Sequence, residues 1–515
     1  MRLRQIRHGS LRLFAGRRPV YGPVYPRIFL DLMISLFVPA SRRCHVCGAS
    51  FQKKVYYRSF RTGADRHTFQ VVLSHFACPN NVVRSVKVRV IMSLTADFFL
   101  CLSEFLIGGI TMSLLGLLCD EQCWKKYYGY KSSLAVRSAF IKELGKYIEN
   151  KDYLPVCLRI YQNEPFPLPS RSEINKSSSK KKRVVYMYPK KENTVLKLLT
   201  HLVLRKYDGL FCGGLYSFRP NRNAKDAVKH FTRLPDIDKM YYYKADISNY
   251  FNSIPVDKLV PLLNEALSDD PALCSFLCRL LEEPFVLDGR QTLREQKGIM
   301  AGTPISSFYA NLYLKDLDGI FEEKGALYAR YSDDIIVFDK DPERVREYRD
   351  LIHRVLHEKG LRINPDKESF GSPETGWCFL GFSYKKGVID IAPVTLSKIK
   401  AKMRRKARAL RRWCIRNDIE PEKAASAFIR IFNRKLLECP ENSELSWSYW
   451  FFSVINTSGS LKVIDRYAQE CIRFIISGRR TKARFNVRYG DLKALGYKSM
   501  VHEYYSYKKT ETAPH

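Results

Sequence analysis

Apolar and polar positions fall into three regimes along this chain. In the first 111 residues no period is sustained: stretches such as "MRLRQIRHGSLRLFAGRRPV" follow neither the alternation of a half-buried strand nor the three- and four-residue steps of an amphipathic helix. From Met112 onward the pattern becomes legible. "SSLAVRSAFIKELGKYIEN" (132–150) and "NTVLKLLTHLVLRKY" (193–207) predict helices, and "VVYMYP" (184–189) predicts a strand. Between them, "SRSEINKSSSKKKR" (170–183) is polar and rich in Ser and Lys, which predicts a linker or flexible loop. The span 240–390 alternates short β-rich runs with helices. Beyond 390 the chain reads as helical. In "LSKIKAKMRRKARALRRWCIR" (396–416), Leu396, Ile399, Met403, Leu410 and Trp413 recur at helical steps and predict one buried stripe.

Length and charge sharpen this picture. A chain of 515 residues calls for about two to four structural units. With 45% hydrophobic and 13% aromatic residues, it carries enough apolar material for sizeable cores, which excludes global disorder. The formal net charge is +35, from 87 basic against 52 acidic residues. Such an excess adds nothing to a fold and points to a polyanionic partner. The basic residues occur in every region, so nucleic acid is favoured over a membrane surface. Ten Lys and Arg stand between 398 and 416 with no acid among them. On one helix they repel each other unless phosphates lie nearby.

The first 111 residues hold 14 Arg against 3 Lys and only four acids, Asp31, Asp65, Asp97 and Glu104. Two readings stand side by side: a weakly structured extension upstream of a natural start at Met112, or an arginine-rich RNA-binding arm. "FLIGGITMSLLGLL" (105–118) is shorter than the ~20 residues of a membrane span and predicts a buried helix. No membrane partner and a cytoplasmic location are therefore expected. The close cysteine pairs, Cys44 with Cys47 and Cys119 with Cys123, are far apart and unequally spaced, which argues for free thiols rather than a zinc site.

The chemistry centres on "YARYSDDIIVF" (328–338). Adjacent Asp333 and Asp334 between apolar flanks admit three readings: a surface turn, a metal site, or an accident of a loop. A surface hairpin favours Asp-Gly or Asn-Gly at its tip, whereas "LYARY" and "IIVF" are apolar enough for two strands of a central sheet. Carboxylates held against a core are costly unless neutralised. "YYYKADISNYF" (241–251) supplies a third, Asp246, at the end of another β-rich run. Three aspartates on adjacent strands can hold two Mg²⁺ ions ~4 Å apart, one activating a 3′ hydroxyl and one stabilising pyrophosphate.

Taken together, these motifs resemble those of the reverse transcriptases. Asp246 with Phe251 is similar to the family's first palm motif, and Tyr331-Ser332-Asp333-Asp334 to its Tyr-x-Asp-Asp motif. "GIMAGTPISSFYANLYLKDLD" (298–318) resembles the Gly-rich turn and helix of bacterial members, matching at Gly298, Gly302, Ser306, Ala310 and Asn311, with Met300-Ala301 where Pro-Gln is usual. "LRINPDKESF" (361–370) and "CFLGFSY" (378–384) resemble the next motif and the primer-grip hairpin. "VVYMYPKK" and "YSFRPNRNAKDAVKHF" resemble the fingers motifs.

The resemblance implies an α+β right-hand polymerase with a basic helical C-terminal region. Fingers would occupy 112–235, palm 236–390, and a helical thumb with extension 391–515, after the basic extension 1–111. It implies an RNA-directed DNA polymerase, a nucleotidyltransferase acting on dNTPs, an RNA template and nascent DNA. Asp246, Asp333, Asp334 and Lys367 would be catalytic, Lys367 protonating the pyrophosphate. Asp246, Ile247, Asp333 and Asp334 would hold two Mg²⁺. Lys190, Arg219 and Arg222 are placed to neutralise a triphosphate, or else serve in structural salt bridges. Phe251 would exclude a ribose 2′ hydroxyl, or simply pack in the core. Gly302 would let the backbone approach a base pair, or permit a turn. Tyr331, Gly381, Arg404, Arg405, Arg408, Arg411 and Arg412 would contact nucleic acid.

After 390 no His/Cys arrangement like the endonuclease of group II intron proteins is visible. The tail interleaves rings and cations (Tyr467, Arg473, Arg479, Arg480, Lys482, Arg484, Arg488, Tyr489), a composition suited to stacked bases and phosphates. With the Met300-Ala301 turn, it resembles the defence-associated reverse transcriptases of the "unknown groups". That implies antiphage defence with a partner non-coding RNA as template. The alternatives are a retron-type or group II intron-type enzyme, or a catalytically idle RNA-binding maturase or scaffold. An RNA-dependent RNA polymerase is disfavoured by Phe251.

Overall fold

The computed structural model describes residues 4–6, 53–61, 67–75, 88–94, 113–134, 138–175, 182–438, 447–479 and 486–512. The chain divides into two units, 1–110 and 111–515. In the first, β1 (Arg4–Ile6), β2 (Lys53–Arg61), β3 (His67–His75) and β4 (Val88–Leu94) form an antiparallel sheet in chain order. Where the sequence predicts weak structure, there are thus four paired strands. Runs such as "VYYRSF" and "FQVVL" carry the β-branched and aromatic residues that strands favour. Cys44, Cys47 and most of the apolar segment 105–118 lie outside the described residues.

The second unit begins with helices, among them α1 (Glu121–Ser133) and α2 (Ser138–Glu149). The single helix predicted over 132–150 is therefore interrupted, with Leu134 extended at the end of α1. The predicted linker is also corrected: β5 (Ser170–Asn175) pairs antiparallel with β6 (Lys182–Met187). Ion pairs from Arg171 to Glu295 at 3.1 Å and from Lys182 to Glu173 at 2.9 Å stand where apolar alternation would have announced a strand. β8 (Phe285–Asp288) and β9 (Gln291–Arg294) complete this sheet in the order β6-β5-β8-β9. α3 (Lys190–Lys206) follows β6 and buries Val195, Leu196, Leu198, Leu199 and Val203.

The central sheet is antiparallel, in the order β10-β11-β7-β12, from β7 (Tyr241–Asp246), β10 (Leu327–Tyr331), β11 (Asp334–Asp339) and β12 (Ser369–Gly371). β11 explains the unbroken apolar run "IIVF". Ile335 and Val337 enter one core with the helices that precede the sheet, while Ile336 and Phe338 enter a second core with the C-terminal helices. A strand covered on both faces loses its alternation. Around it lie α4 (Tyr250–Ser253), α5 (Ser306–Tyr313), α6 (Lys315–Glu323) and α7 (Pro342–Glu358).

A small sheet, β13 (Trp377–Phe379), β14 (Phe382–Lys385) and β15 (Val388–Ile391), leads into α8 (Pro393–Arg416). α8 packs with α9 (Pro421–Leu436) and α10 (Gly459–Ser477), and α10 contacts α11 (Met500–Thr512). The stripe on α8 runs through Ile399, Met403, Ala407, Leu410 and Cys414. Trp413, expected in it, is 44% exposed, because the period of 3.6 carries the stripe to the next residue. Among the described residues no helix is long and apolar enough to cross a membrane.

Candidate active site

β10 and β11 form a hairpin in which Tyr331 pairs with Asp334, so the loop is only Ser332 and Asp333. Ser332 has φ +60°, the left-handed region that costs a side-chain-bearing residue about 1–2 kcal/mol. Buried bonds hold it there. The Ser332 amide donates to Ser217 Oγ at 2.9 Å, and its carbonyl accepts from Arg330 Nη1 at 3.3 Å. Ser217 Oγ donates in turn to Asn311 Oδ1 at 3.0 Å, and Asn311 Nδ2 returns a bond to the Ser217 carbonyl at 2.8 Å. Arg330, 0% exposed, meets Asp318 at 2.5 and 2.8 Å and gives its other Nη2 bond to the Asn311 carbonyl at 3.2 Å. A surface turn would need none of this, and that reading is excluded.

Asp246 ends β7 directly opposite Asp334, and the Ile247 amide donates to the Asp333 carbonyl at 3.0 Å. All three aspartates therefore share one end of the central sheet, as the sequence predicts. Burial, then Asp334 and Asp246, raise the Asp333 carboxyl to about 6. Burial also raises Asp334, with Lys244, Lys367 and Lys398 working against the shift.

Lys367 lies on the short turn Pro365–Lys367, and its Nζ meets Asp246 Oδ2 at 2.5 Å. Asn364 anchors that turn by donating its amide to the Asp246 carbonyl at 2.7 Å. Among the described residues no three His, Cys, Asp or Glu side chains converge as a metal-binding group; the Lys367 ammonium stands on Asp246 instead. The residues nonetheless fit hard divalent cations. The donors are carboxylate oxygens, the ligand type such cations take, gathered at one end of the sheet, and burial makes the charged form of Asp333 and Asp334 costly unless it is neutralised. The two hydrogen bonds that close the Ile247–Ile363 bridge run through their neighbours and bypass the Ile247 carbonyl.

Phe251 follows on α4, its ring 6.3 Å from Phe218, which is itself 6.4 Å from Tyr331. This half-buried aromatic row borders the aspartates. The turn 298–302 is tied to it: the Ile299 amide donates to the Phe251 carbonyl at 2.9 Å, and a Cβ on Gly298 would lie 2.5 Å from that oxygen. Asn252 bridges the Ala301 amide and the Val184 carbonyl, both at 3.1 Å. Gly302 has φ +106°, and its Cβ would meet the Tyr186 carbonyl at 2.9 Å. What comes close to Gly302 is thus strand β6.

The three expected triphosphate cations are all engaged within the protein. Arg219 grips Asp208 at 2.7 and 3.0 Å and the Cys212 carbonyl at 2.7 Å. Arg222 bonds the Gly213 carbonyl beneath the Tyr216 ring, and Lys190 pairs with Glu143 at 3.0 Å on the surface. Arg219 and Lys190 thus form ion pairs, whereas Arg222 is held by a carbonyl and a ring. Gly381, with Leu380, makes the two-residue β13–β14 turn at positive φ, and its carbonyl accepts from Ala392 at 2.9 Å.

On α8, Arg404, Arg405, Arg408 and Arg412 are exposed, as a nucleic-acid face requires. Arg411 differs: its Nη1 caps the end of α10 at the Ile475 carbonyl, 2.8 Å away. Arg473 likewise turns inward, to the Val487 carbonyl at 3.0 Å, while Arg480, Lys482 and Arg484 lie outside the described residues. Sequence reasoning missed Ser217, Asp318, Arg330, Asn364 and Asn252. Only Arg330 carried a signal: it is a charge set in an otherwise apolar strand.

Residues 174–384 match the family model described as reverse transcriptase (RNA-dependent DNA polymerase). The chain is 25% identical over 173 residues to the 91 kDa protein in the cob intron of Schizosaccharomyces pombe, covering 33% of this chain and 21% of that protein. It is 23% identical over 173 residues to the retron Ec86 reverse transcriptase of Escherichia coli, covering 33% and 50%. The chain thus spans half or less of the length of these curated relatives. A telomerase from Candida albicans, solved in complex with a TWJ fragment of telomeric RNA, aligns with TM-score 0.35 and 13% identity over 69% of this chain and 67% of that one. Residues 174–384 thus match a reverse transcriptase domain, and the chain is similar over 173 residues to a retron reverse transcriptase and to an intron protein.

Proposed function

We propose that the chain is an RNA-directed DNA polymerase that extends a 3′ hydroxyl with deoxynucleotides on an RNA template. The observation that carries this reading is the register of β7 against β11, which sets Asp246 opposite Asp334 and beside Asp333 in a buried, electrostatically strained cluster. Asp246, the Ile247 carbonyl, Asp333 and Asp334 are the residues that would hold two Mg²⁺. Bound there, the cations supply Lewis acidity toward the attacking hydroxyl and the departing pyrophosphate. Lys367, already within hydrogen-bond reach of Asp246, stands where it can hold a proton for the leaving group. Phe251, on the aromatic row beside the aspartates, closes the space a 2′ hydroxyl would need. We assign fingers to 112–235, palm to 236–390 and thumb with C-terminal extension to 391–515, the exposed arginines of α8 lining the path of the template–primer. The tail and the Met300-Ala301 turn support a partner non-coding RNA as template and a role in antiphage defence.

The test is incorporation of labelled dNTPs by the purified chain, with Mg²⁺, on both co-purified RNA and a supplied RNA template with DNA primer. Synthesis is expected, and Asp333→Ala should abolish it while RNA stays bound. No incorporation on any template would leave an RNA-binding scaffold in its place.

A further inference from the structure

α1 and α3 meet at a face that contributes nothing to the aspartate centre. Lys197, His201 and Arg205 recur every four residues on α3, so they share one side of that helix. Against them α1 sets Tyr127, Tyr130 and Lys131. The His201 ring lies 5.1 Å from Tyr127 and 4.6 Å from Tyr130. The Arg205 guanidinium covers Tyr130 at 4.7 Å and bonds His201 Nδ1 at 2.8 Å, which makes that nitrogen an acceptor and the imidazole neutral. Lys131 stands 5.3 Å from the Tyr127 ring and 5.4 Å from Tyr130, and Lys197 stands 5.0 Å from Phe140 on α2.

Among the described residues no acid forms an ion pair with these cations. The charges acting on Lys131 are Lys197 and Arg205, and those acting on His201 are Arg205 and Lys131. Burial and these neighbours lower Lys131 and push His201 down to about 4. The cluster is therefore a concentration of like charge with no compensating acid among the described residues, built on flat rings of which Tyr130 stays exposed beside an exposed Arg205. An acidic peptide would answer the charge and leave the rings unused. A membrane surface would call for exposed aliphatic anchors, and among the described residues of α1 and α3 no aliphatic side chain is exposed. Stacked rings and guanidinium beside phosphate-seeking cations are the equipment of a single-strand site.

We propose that this α1–α3 face is a second RNA-docking site, separate from the aspartate centre, which takes a single-stranded segment by stacking a base on Tyr130 and placing phosphates on Lys131, Lys197 and Arg205. The choice of RNA over DNA rests on the proposed RNA-directed activity; the stacking geometry does not. Such a site would hold the template RNA outside the segment being copied.

The test uses the full chain preloaded with an unlabelled template–primer duplex, and fluorescence anisotropy of a labelled single-stranded oligo(U). Tyr130→Ala should weaken oligo(U) binding by about fivefold to a hundredfold, the range for loss of one stacked base. Tyr130→Phe should bind as the natural chain does. Arg205→Gln should weaken binding and flatten its salt dependence by roughly one phosphate contact. Nucleotide addition on a short template–primer should be unchanged in all three. Unchanged oligo(U) binding by Tyr130→Ala overturns the proposal. So does an equal loss of short-template extension, which would make the face part of the polymerase path, and so does competition by inorganic polyphosphate as strong as by oligo(U), which would remove the stacking. A natural chain that adds no nucleotide yet binds oligo(U) through Tyr130 keeps this site and overturns the polymerase reading alone.

Discussion

Replacing Asp318 by Asn tests whether the aspartate turn is positioned from behind. Arg330 is 0% exposed and Asp318 1% exposed, so the pair is fully desolvated. Asp318 accepts from Arg330 at 2.5 and 2.8 Å and from the Tyr328 hydroxyl at 2.9 Å. Removing one partner of such a pair strands a buried charge and costs about 3–5 kcal/mol. Because Asn keeps one acceptor oxygen, the lower end, about 3 kcal/mol, is expected for Asp318→Asn. Asp318→Leu combined with Arg330→Met removes both charges and should recover most of that loss, since an apolar pair of similar volume is often no less stable.

The double variant nevertheless takes away the donor at the Ser332 carbonyl, 3.3 Å from Arg330 Nη1, and with it one of the bonds that hold a left-handed serine next to Asp333. Stability should return and nucleotide addition should not. Thermal midpoints are the right measure of the first, because a chain of several units does not unfold in one step; single-turnover addition on a short template–primer measures the second. A midpoint for Asp318→Asn no lower than that of a surface substitution would refute the buried charge. Full nucleotide addition by the double variant would refute the positioning role.

Three further outcomes are expected. Asp333 titrates near 6 in the folded chain, above the unfolded carboxylate near 4, so the stability tied to its proton is complete below about pH 4 and lost as pH rises through 6. In EDTA the thermal midpoint should therefore fall over that window, and Mg²⁺ should restore it at pH 7.5; no effect of Mg²⁺ there would remove the metal from this site. Arg411→Ala should lower the midpoint and leave the salt slope of RNA binding alone, because its guanidinium caps α10. Arg404→Gln with Arg408→Gln should do the reverse, reducing the slope by about 0.7 per lost single-strand phosphate contact. Phe251→Ala should raise ribonucleotide incorporation relative to deoxynucleotides in a paired-substrate assay; unchanged discrimination would make the ring a packing residue beside Phe218.

What the sequence shows and hides follows from which interactions are local. The strand ends bearing Asp246 and Asp333–Asp334 were legible because unbroken apolar runs and carboxylates conflict within a few positions, and the conflict demands an answer. The network supplying part of that answer was not. Ser332 leans on Ser217, 115 positions away, and Arg330 on Asp318 across a helix–strand boundary, and neither pairing leaves a period. β5 stayed hidden because its cross-strand contacts are ionic.

Arginines were misjudged for a related reason: the side chain is long enough to serve either solvent or a neighbouring carbonyl, and only the fold decides. Arg404 and Arg408 face outward where α8 has no partner among the described residues, whereas Arg411, on the side toward α10, finds the open carbonyls of a helix end that a glycine at φ +72° terminates. The same logic separates the two kinds of positive charge in this molecule. Cations that meet a carboxylate or a helix end, as Arg219, Arg330 and Arg411 do, are absorbed into the fold. The exposed arginines of α8 and the group around His201, which form no ion pair with a carboxylate among the described residues, are placed to act on a polyanion.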